Sequence, residues 1–549
     1  MTARRLLCLT TLGILGLVLA APAAPAATRA GSDDTALVRE GTTGQFDSIN
    51  PFVAFNALPY IVFTNIYPTL VQYDTHFKIV GDWAKSWKTS PDGLTWTFTV
   101  KPGKWSDGQP LTAKDGAWTG NLIIKYGKTV TSQLAPFLSH ATKLTAPNDT
   151  TLVIHYDKAV ANVLPQLQQF FVLPQHVWEA QLGTNGKGLK NYDPAAHLPI
   201  VGGGSFYIDK FDKKGTTILK RNDGFYGTKP HLAAVGITWF ANSDAMLAAL
   251  KSGDIDYVDE VPFTVADQLG KSGAVQLVTG QGTEIRDFGF NSNPKKKKHR
   301  ELLDPKLRAA LAHGFDRKQI VDVVFRGHAT PRATLLTPIS APYMNTKLQP
   351  ESYDIALANS MLDKLGYKRG SDGIRVTPGS DSHPMKYDVI TPESVSGMDR
   401  EFAIVRDSWA KLGIKLTQRS YDPTTAFAEI TKPKNQYLDF DLMMWDWVGY
   451  TDPDFVLSVV GCNQYGGWSD TAYCSKQYDA LYQKQGTTLD PAKRKAIVWK
   501  MQDILYHDKP YVQIAQVELI YGFRKGWTNI APPYINGLGK IPWIQLAKS

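Results

Sequence analysis

Apolar and polar positions alternate strictly from Leu94 to Val100, placing Leu94, Trp96, Phe98 and Val100 on one face and Thr95, Thr97 and Thr99 on the other. A period of two in β-branched and aromatic residues predicts a half-buried strand. Turn residues bracket it: Ser90, Pro91, Asp92 and Gly93 before, Lys101, Pro102 and Gly103 after, and Ser106, Asp107 and Gly108 closing the next short segment. A hairpin or meander is expected there. Further along, the period lengthens. Asp304 and Pro305 open a segment with Leu307, Ala310 and Leu311 in one stripe, and Asp316 precedes Ile320, Val323 and Val324. Asp354 to Leu365 before Gly366, Asp399 to Leu412 before Gly413, and Asp490 with Pro491 to Leu505 repeat the pattern. A side chain able to accept first-turn N–H bonds, an apolar stripe and a closing glycine predict capped helices. The N-terminal half is thus richer in strand, and the C-terminal half is α/β.

Composition narrows the class. The chain has 549 residues, which predicts roughly two to four domains. Hydrophobic residues at 43%, aromatics at 11% and charged residues at 20% exclude disordered, collagen-like and disulfide-dense chains. A net charge of +9 with no basic face in the sequence gives no expectation of a nucleic-acid partner. Arg4 and Arg5 precede an apolar run from Leu6 to Ala21, followed by Ala24, Pro25 and Ala26. Residues 1–26 read as a cleaved signal peptide. The alternative, a membrane anchor, calls for about 20 apolar residues, and Pro22 and Pro25 follow this shorter run. Cys8 lies at the start of the run, not at its small-residue end where a lipoprotein cysteine stands. Export leaves Cys462 and Cys474 in an oxidising compartment, where a disulfide is expected. Closing a loop of that size contributes about 3 kcal/mol by the chain-entropy relation. A metal reading is weaker, since no Cys or His pair accompanies the two thiols. The tract Lys295 to Lys298 with His299 and Arg300 reads as a solvated loop, with a docking or anion-binding patch as the alternative.

Motifs for enzymatic chemistry are missing. No HExxH, GxSxG, Walker lysine loop or GxGxxG occurs, and the 11 histidines lack ligand spacing. The expectation is a protein that is not an enzyme, with no cofactor and no metal site. Asp439 with Asp441, and Asp452 with Asp454, are carboxylate pairs of a kind used in glycoside hydrolysis, which keeps a secreted glycosidase as a remote alternative. The plainer reading sets Asp439 and Asp441 at strand spacing towards solvent and makes Asp452 to Asp454 a turn. Asp439 to Phe455, DFDLMMWDWVGYTDPDF, runs from an apolar strand into a loop bearing Trp445, Trp447 and Tyr450. Such density lines either a pocket for mixed-polarity solutes or a core. A mixture is expected, with Met443 and one tryptophan packed and the loop end facing ligand.

A series of blocks then resembles one family. Ser48 to Phe52, Asp82 to Trp87, Ser90 to Phe98, and Trp105 to Asp115, the strongest match, come in order. Val201 to Phe206 follows, with Gly203 and Ser205 where a Thr and a Pro are usual. Lys220 to Asn222, Phe225 to Gly227, Phe290 with Asn291, Leu307 to Leu311 and Asp316 with Arg317 complete it. Jointly they resemble the extracytoplasmic solute-binding proteins of family 5, the peptide, dipeptide and nickel receptors of ABC importers, over nearly all of the mature chain. The resemblance implies an α/β, periplasmic binding protein-like fold (type II, cluster C), two-lobed with an extra inserted domain. Domain I would take residues 32–67, 200–286 and 512–549, domain II residues 68–199 and domain III residues 287–511.

The function implied is a periplasmic, monomeric receptor that closes on a peptide or peptide-like solute and delivers it to an ABC permease complex in the inner membrane. Trp445, Asp446, Trp447, Val448, Gly449, Tyr450 and Asp452 are the implied ligand-binding residues. In peptide-binding members an aspartate follows the segment matching Trp447 to Gly449 and pairs with the peptide's amino group. Tyr450 and Thr451 stand there instead, leaving Asp446 or Asp452 as replacements and an oligosaccharide or other non-peptide solute as the alternative ligand.

Overall fold

The computed structural model describes residues 36–393, 395–531 and 541–548; the expected signal peptide, residues 1–26, lies outside the described residues. Three main sheets organise the chain. A seven-stranded sheet runs in the order Phe206–Lys210, Thr216–Arg221, Leu232–Trp239, Ala36–Thr42, Tyr257–Val258, Leu519–Arg524 and Val275–Gly280. A four-stranded sheet orders Ala84–Thr89, Thr95–Val100, Thr151–Tyr156 and Ala141–Asn148. The third has six strands: Ala329–Pro331, Tyr511–Val517, Glu284–Phe290, Leu442–Val448, Lys386–Pro392 and Lys415–Tyr421.

The alternating segment forms the expected meander. Thr95–Val100 pairs antiparallel with Ala84–Thr89 and with Thr151–Tyr156. Phe98 and Val100 are buried, Trp96 is half-buried, and Leu94 falls in the turn that Gly93 makes at φ +75°. One continuous apolar cluster joins Phe98 and Ile154 of this sheet to Val38 and Val235 of the seven-stranded sheet. Two sheets sharing one core make a single lobe.

The six-stranded sheet builds the other lobe and has an apolar cluster on each face. Phe288, Leu442 and Met444 belong to one cluster, and Met443 and Tyr511 to the other, as alternation along a strand requires. The result is the two-lobed α/β fold that the resemblance implied.

Capped helices surround this sheet. Asp304, Asp316, Asp354 and Asp490 each accept a first-turn backbone N–H at the heads of Pro305–Ala312, Arg317–Val323, Ile355–Lys364 and Pro491–Asp508. The last runs three residues past Leu505. Met398–Lys411 departs from expectation: its cap is Gly397 at φ +82°, and Asp399 lies in the first turn.

Two further expectations are corrected. Lys296 of the lysine tract is not solvated: it is fully buried, bonds Asp441 at 2.7 Å and donates to the Phe440 carbonyl at 2.6 Å. Asp441 correspondingly turns inward, its carboxyl held below the usual range because His299 and Lys296 outweigh burial. A buried lysine is tolerated only with such a partner.

The chain crosses between lobes from Gly280 to Glu284 and from Val517 to Leu519. These segments pass close together: a Cβ on Gly282 would meet the Val517 carbonyl oxygen at 1.7 Å, and the Gln516 side-chain amide donates to the Gly282 carbonyl. Away from the crossings the lobes also meet directly, Ala161 N–H donating to the Gly486 carbonyl at 2.9 Å.

Candidate functional site

Leu442–Val448 lies inside the six-stranded sheet, antiparallel to Glu284–Phe290, with Asp446 opposite Arg286 and Val448 opposite Glu284. Gly449 extends the pairing by one bond, its N–H donating to the Thr283 carbonyl at 2.8 Å. Glycine fits here because a Cβ would sit 2.8 Å from Thr337 Oγ1. The chain then leaves the sheet, pinned by the Ser340 hydroxyl, which donates to the Tyr450 carbonyl.

Beyond Gly449 opens a cavity of about 550 Å³ between the lobes. The second lobe contributes Ile339, Gly449 to Asp452, Asp454, Phe455, Ser458 and Trp468. The first contributes aromatics, Phe55, Tyr60, Tyr73, Phe77 and Phe137, and side-chain amides, Asn56, Gln133, Asn162, Gln166, Gln168 and Gln169. Phe455 ties the second wall together: its ring packs edge-on against Tyr450, Trp468 and Trp447, with centroids 5.2, 5.4 and 6.2 Å away.

Both carboxylates at this cavity are already engaged. Asp452 accepts two bonds from Arg494, at 2.6 and 2.8 Å, and the guanidinium also donates to Gln485 at 2.9 Å. Burial disfavours the Arg494 charge, but Asp452 overrides it and raises its pKa. Asp454 accepts from Gln485 at 2.6 Å, and burial, then Asp452, raises its pKa. Asp452, one of the two expected replacements for an amine anchor, is thus committed to an internal ion pair.

Asp446 sits elsewhere. It lines a second interlobe cavity, of about 710 Å³, with Glu260, Glu284, Arg286, Glu393 and Glu518. Arg286 contacts Glu284 at 2.5 Å and Glu401 at 3.4 Å. Burial, reinforced by Glu284 and opposed by Arg286, pushes the Asp446 carboxyl up to about 6. Burial likewise pushes Glu401 up to about 7 despite Arg286.

The seven expected ligand-binding residues therefore divide. Gly449, Tyr450 and Asp452 line the aromatic cavity, and Asp446 lines the charged one. Trp445 and Trp447 both pack with Met443 against the cluster on one sheet face, where one packed tryptophan was expected, and Val448 is half-buried and lines neither cavity. Cys462 and Cys474 form the expected disulfide. Between them sits Trp468, which sequence reasoning missed although Gly466 and Gly467 before it signal an exposed turn. Phe55 and the Gln166 to Gln169 segment were missed for want of any local signal. Among the described residues, no three or more His, Cys, Asp or Glu side chains gather to hold a metal ion, and no helix is long and apolar enough to cross a membrane.

Two lobes, few crossings and cavities walled by both lobes define a solute-binding protein of the two-lobed class. The sequence model for the middle region of the bacterial extracellular solute-binding proteins, family 5, matches residues 78–467, and the chain belongs to that family. It is similar to a protein of Brucella ovis provisionally named an ABC transporter peptide-binding protein, at 28% identity over 81% of this chain and 78% of the relative. It is also similar to the glutathione-binding protein GsiB of Escherichia coli, at 25% identity over 88% and 90% of the two chains. Among solved structures, the ABC transporter substrate-binding protein CtaP of Listeria monocytogenes superposes with a TM-score of 0.80 at 22% identity, covering 94% of this chain and 99% of that one.

Proposed function

We propose that this protein is the extracytoplasmic receptor of an ABC importer, closing its two lobes on a peptide or peptide-like solute and handing it to the membrane permease. The observation that carries the reading is the 550 Å³ cavity walled by both lobes, with the Gly449 to Phe455 loop on one side and aromatic and amide side chains on the other. Such a site binds by enclosure, and closure buries the solute while creating a new outer shape for a permease to read. The peptide-binding and glutathione-binding names of the relatives support a peptide-like solute. The protein acts without turnover, as a monomer, in the periplasm after removal of residues 1–26. The proposed domain limits are 32–67 with 200–286 and 512–549, 68–199, and 287–511; the four-stranded sheet falls within 68–199, but Glu284–Phe290 and Tyr511–Val517 pair in the six-stranded sheet, which favours limits for the third domain at the crossings, near 281–283 and 518.

A second reading, an oligosaccharide or other non-peptide solute, is favoured by one observation: both carboxylates of the aromatic cavity are engaged, Asp452 by Arg494 and Asp454 by Gln485, leaving no unengaged carboxylate for an amine. Native mass spectrometry of protein purified without refolding, followed by denaturation, separates the two. Released short peptides support the first reading; a released sugar replaces it with the second.

A further inference from the structure

Two large apolar rings stand open at the aromatic cavity, one from each lobe: Phe55 is 71% exposed and Trp468 is 58% exposed. A single exposed ring needs no explanation, but two that line one interlobe cavity do.

Both are held by fixed backbone. Asp47 accepts from the N–H groups of Phe55 and Asn56 at 2.7 and 3.2 Å, setting the turn before the helix Ala57–Ile66. Trp468 sits on a loop closed by the disulfide and fastened from below, where the Tyr437 hydroxyl donates to the Ser469 carbonyl at 2.7 Å and accepts from Gly466 N–H at 2.9 Å. The Trp468 ring also leans on Phe455. An exposed indole on a tied loop is pre-organised to receive a flat group with little loss of rotamer freedom.

The amide wall supplies a second, independent observation. Gln168 lines the cavity at 4% exposure, and its side-chain nitrogen has no hydrogen-bond partner; Gln166 beside it leaves its amide oxygen unpartnered. A buried polar atom left unpaired is unfavourable. The unpaired nitrogen is a donor and the unpaired oxygen an acceptor, the complement of a peptide unit's carbonyl and N–H. Of the carboxylates at this cavity, Asp452 is neutralised by Arg494, and Asp454, bonded by Gln485, has its charged form disfavoured by burial, so neither is a ready counter-ion for a cationic side chain.

We infer that this cavity selects an uncharged, ring-bearing residue of the peptide-like solute, its ring received between Phe55 and Trp468 and its flanking amide bonded by Gln166 and Gln168. The inference rests on the peptide-like reading above and gives it a specificity.

Calorimetric titration of the full mature chain with the tripeptides Ala-Phe-Ala, Ala-Lys-Ala and Ala-Glu-Ala, and with cellotriose, tests it. Ala-Phe-Ala binds roughly tenfold more tightly than the charged pair; Trp468→Ala abolishes that preference, Trp468→Phe restores most of it, and Gln168→Leu weakens all three tripeptides by roughly tenfold. Thermal melts of each variant show that the fold is kept. Equal affinity for the three tripeptides, unchanged by Trp468→Ala, overturns the inference and leaves the peptide-like reading standing. If none of the tripeptides binds, with or without cellotriose binding, the peptide-like reading falls and the inference with it.

Discussion

The aromatic and charged interlobe cavities are served by one short piece of chain, yet their chemistry is opposite. The strand Leu442–Val448 sends Asp446 into a cavity with Arg286 and several acids, and the loop that follows it enters a cavity whose two carboxylates are satisfied internally. Alternation accounts for the split. Met443, Trp445 and Trp447 share one sheet face, Leu442, Met444 and Asp446 the other, and only past Gly449 does the chain leave the sheet. An aromatic-rich run is therefore not one site but a packed strand followed by a cavity-lining loop.

The comparison breaks most sharply at Arg494. Replacing it, as Arg494→Met, strands Asp452 as a buried unpaired carboxylate and should cost about 3–5 kcal/mol in urea unfolding. A cost under about 1 kcal/mol would mean that Asp452 is free for a cation, and the aromatic cavity would no longer be the neutral one. Trp447→Ala comes next, with an expected loss of about 3 kcal/mol in stability and a change in solute affinity of less than about threefold. Intact stability with lost affinity would return Trp447 to the ligand wall.

The charged cavity carries a pH signature. Glu401 has a folded-state pKa of about 7 against an ordinary 4.5, so the folded state holds its proton more tightly than the unfolded chain does. The stability this contributes is complete below pH 4.5 and is lost as pH rises to about 7. Asp446, raised from 3.8 to about 6, acts in the same direction over a lower window. Melting wild type beside Glu401→Gln should show the variant gaining a few degrees relative to wild type between pH 5 and 7.5. A constant difference would mean that Glu401 is not held in its neutral form. The smallest effect is expected at the boundary between the regions: Gly449→Ala pushes a methyl group against Thr337 and should cost about 1 kcal/mol, read by thermal melts. No loss would show that the strand end has room to shift.

Much of the fold was legible in local pattern. The meander around Phe98 and four aspartate caps appear where period and turn chemistry placed them, because a strand face or a cap depends on residues only a few positions apart. Met398–Lys411 shows the limit, since Asp399, expected to open the helix, lies in its first turn and the cap is Gly397. The site was legible only in part. Tyr450 stood out by composition, whereas Phe55 and Gln168 carry no local mark and reach the cavity because the other lobe folds against it.

What the sequence determined by itself is what short-range physics controls: strand and helix periods, the caps, the pairing of the last two cysteines and the ordered blocks that mark the family. Tertiary structure decided which cavity each side chain meets and which charges are consumed. Asp452 finds Arg494 across 42 positions, and Lys296 finds Asp441 across 145. Such pairs form because burial removes water from both groups and leaves each the other's main compensation, and burial is a property of the assembled lobes.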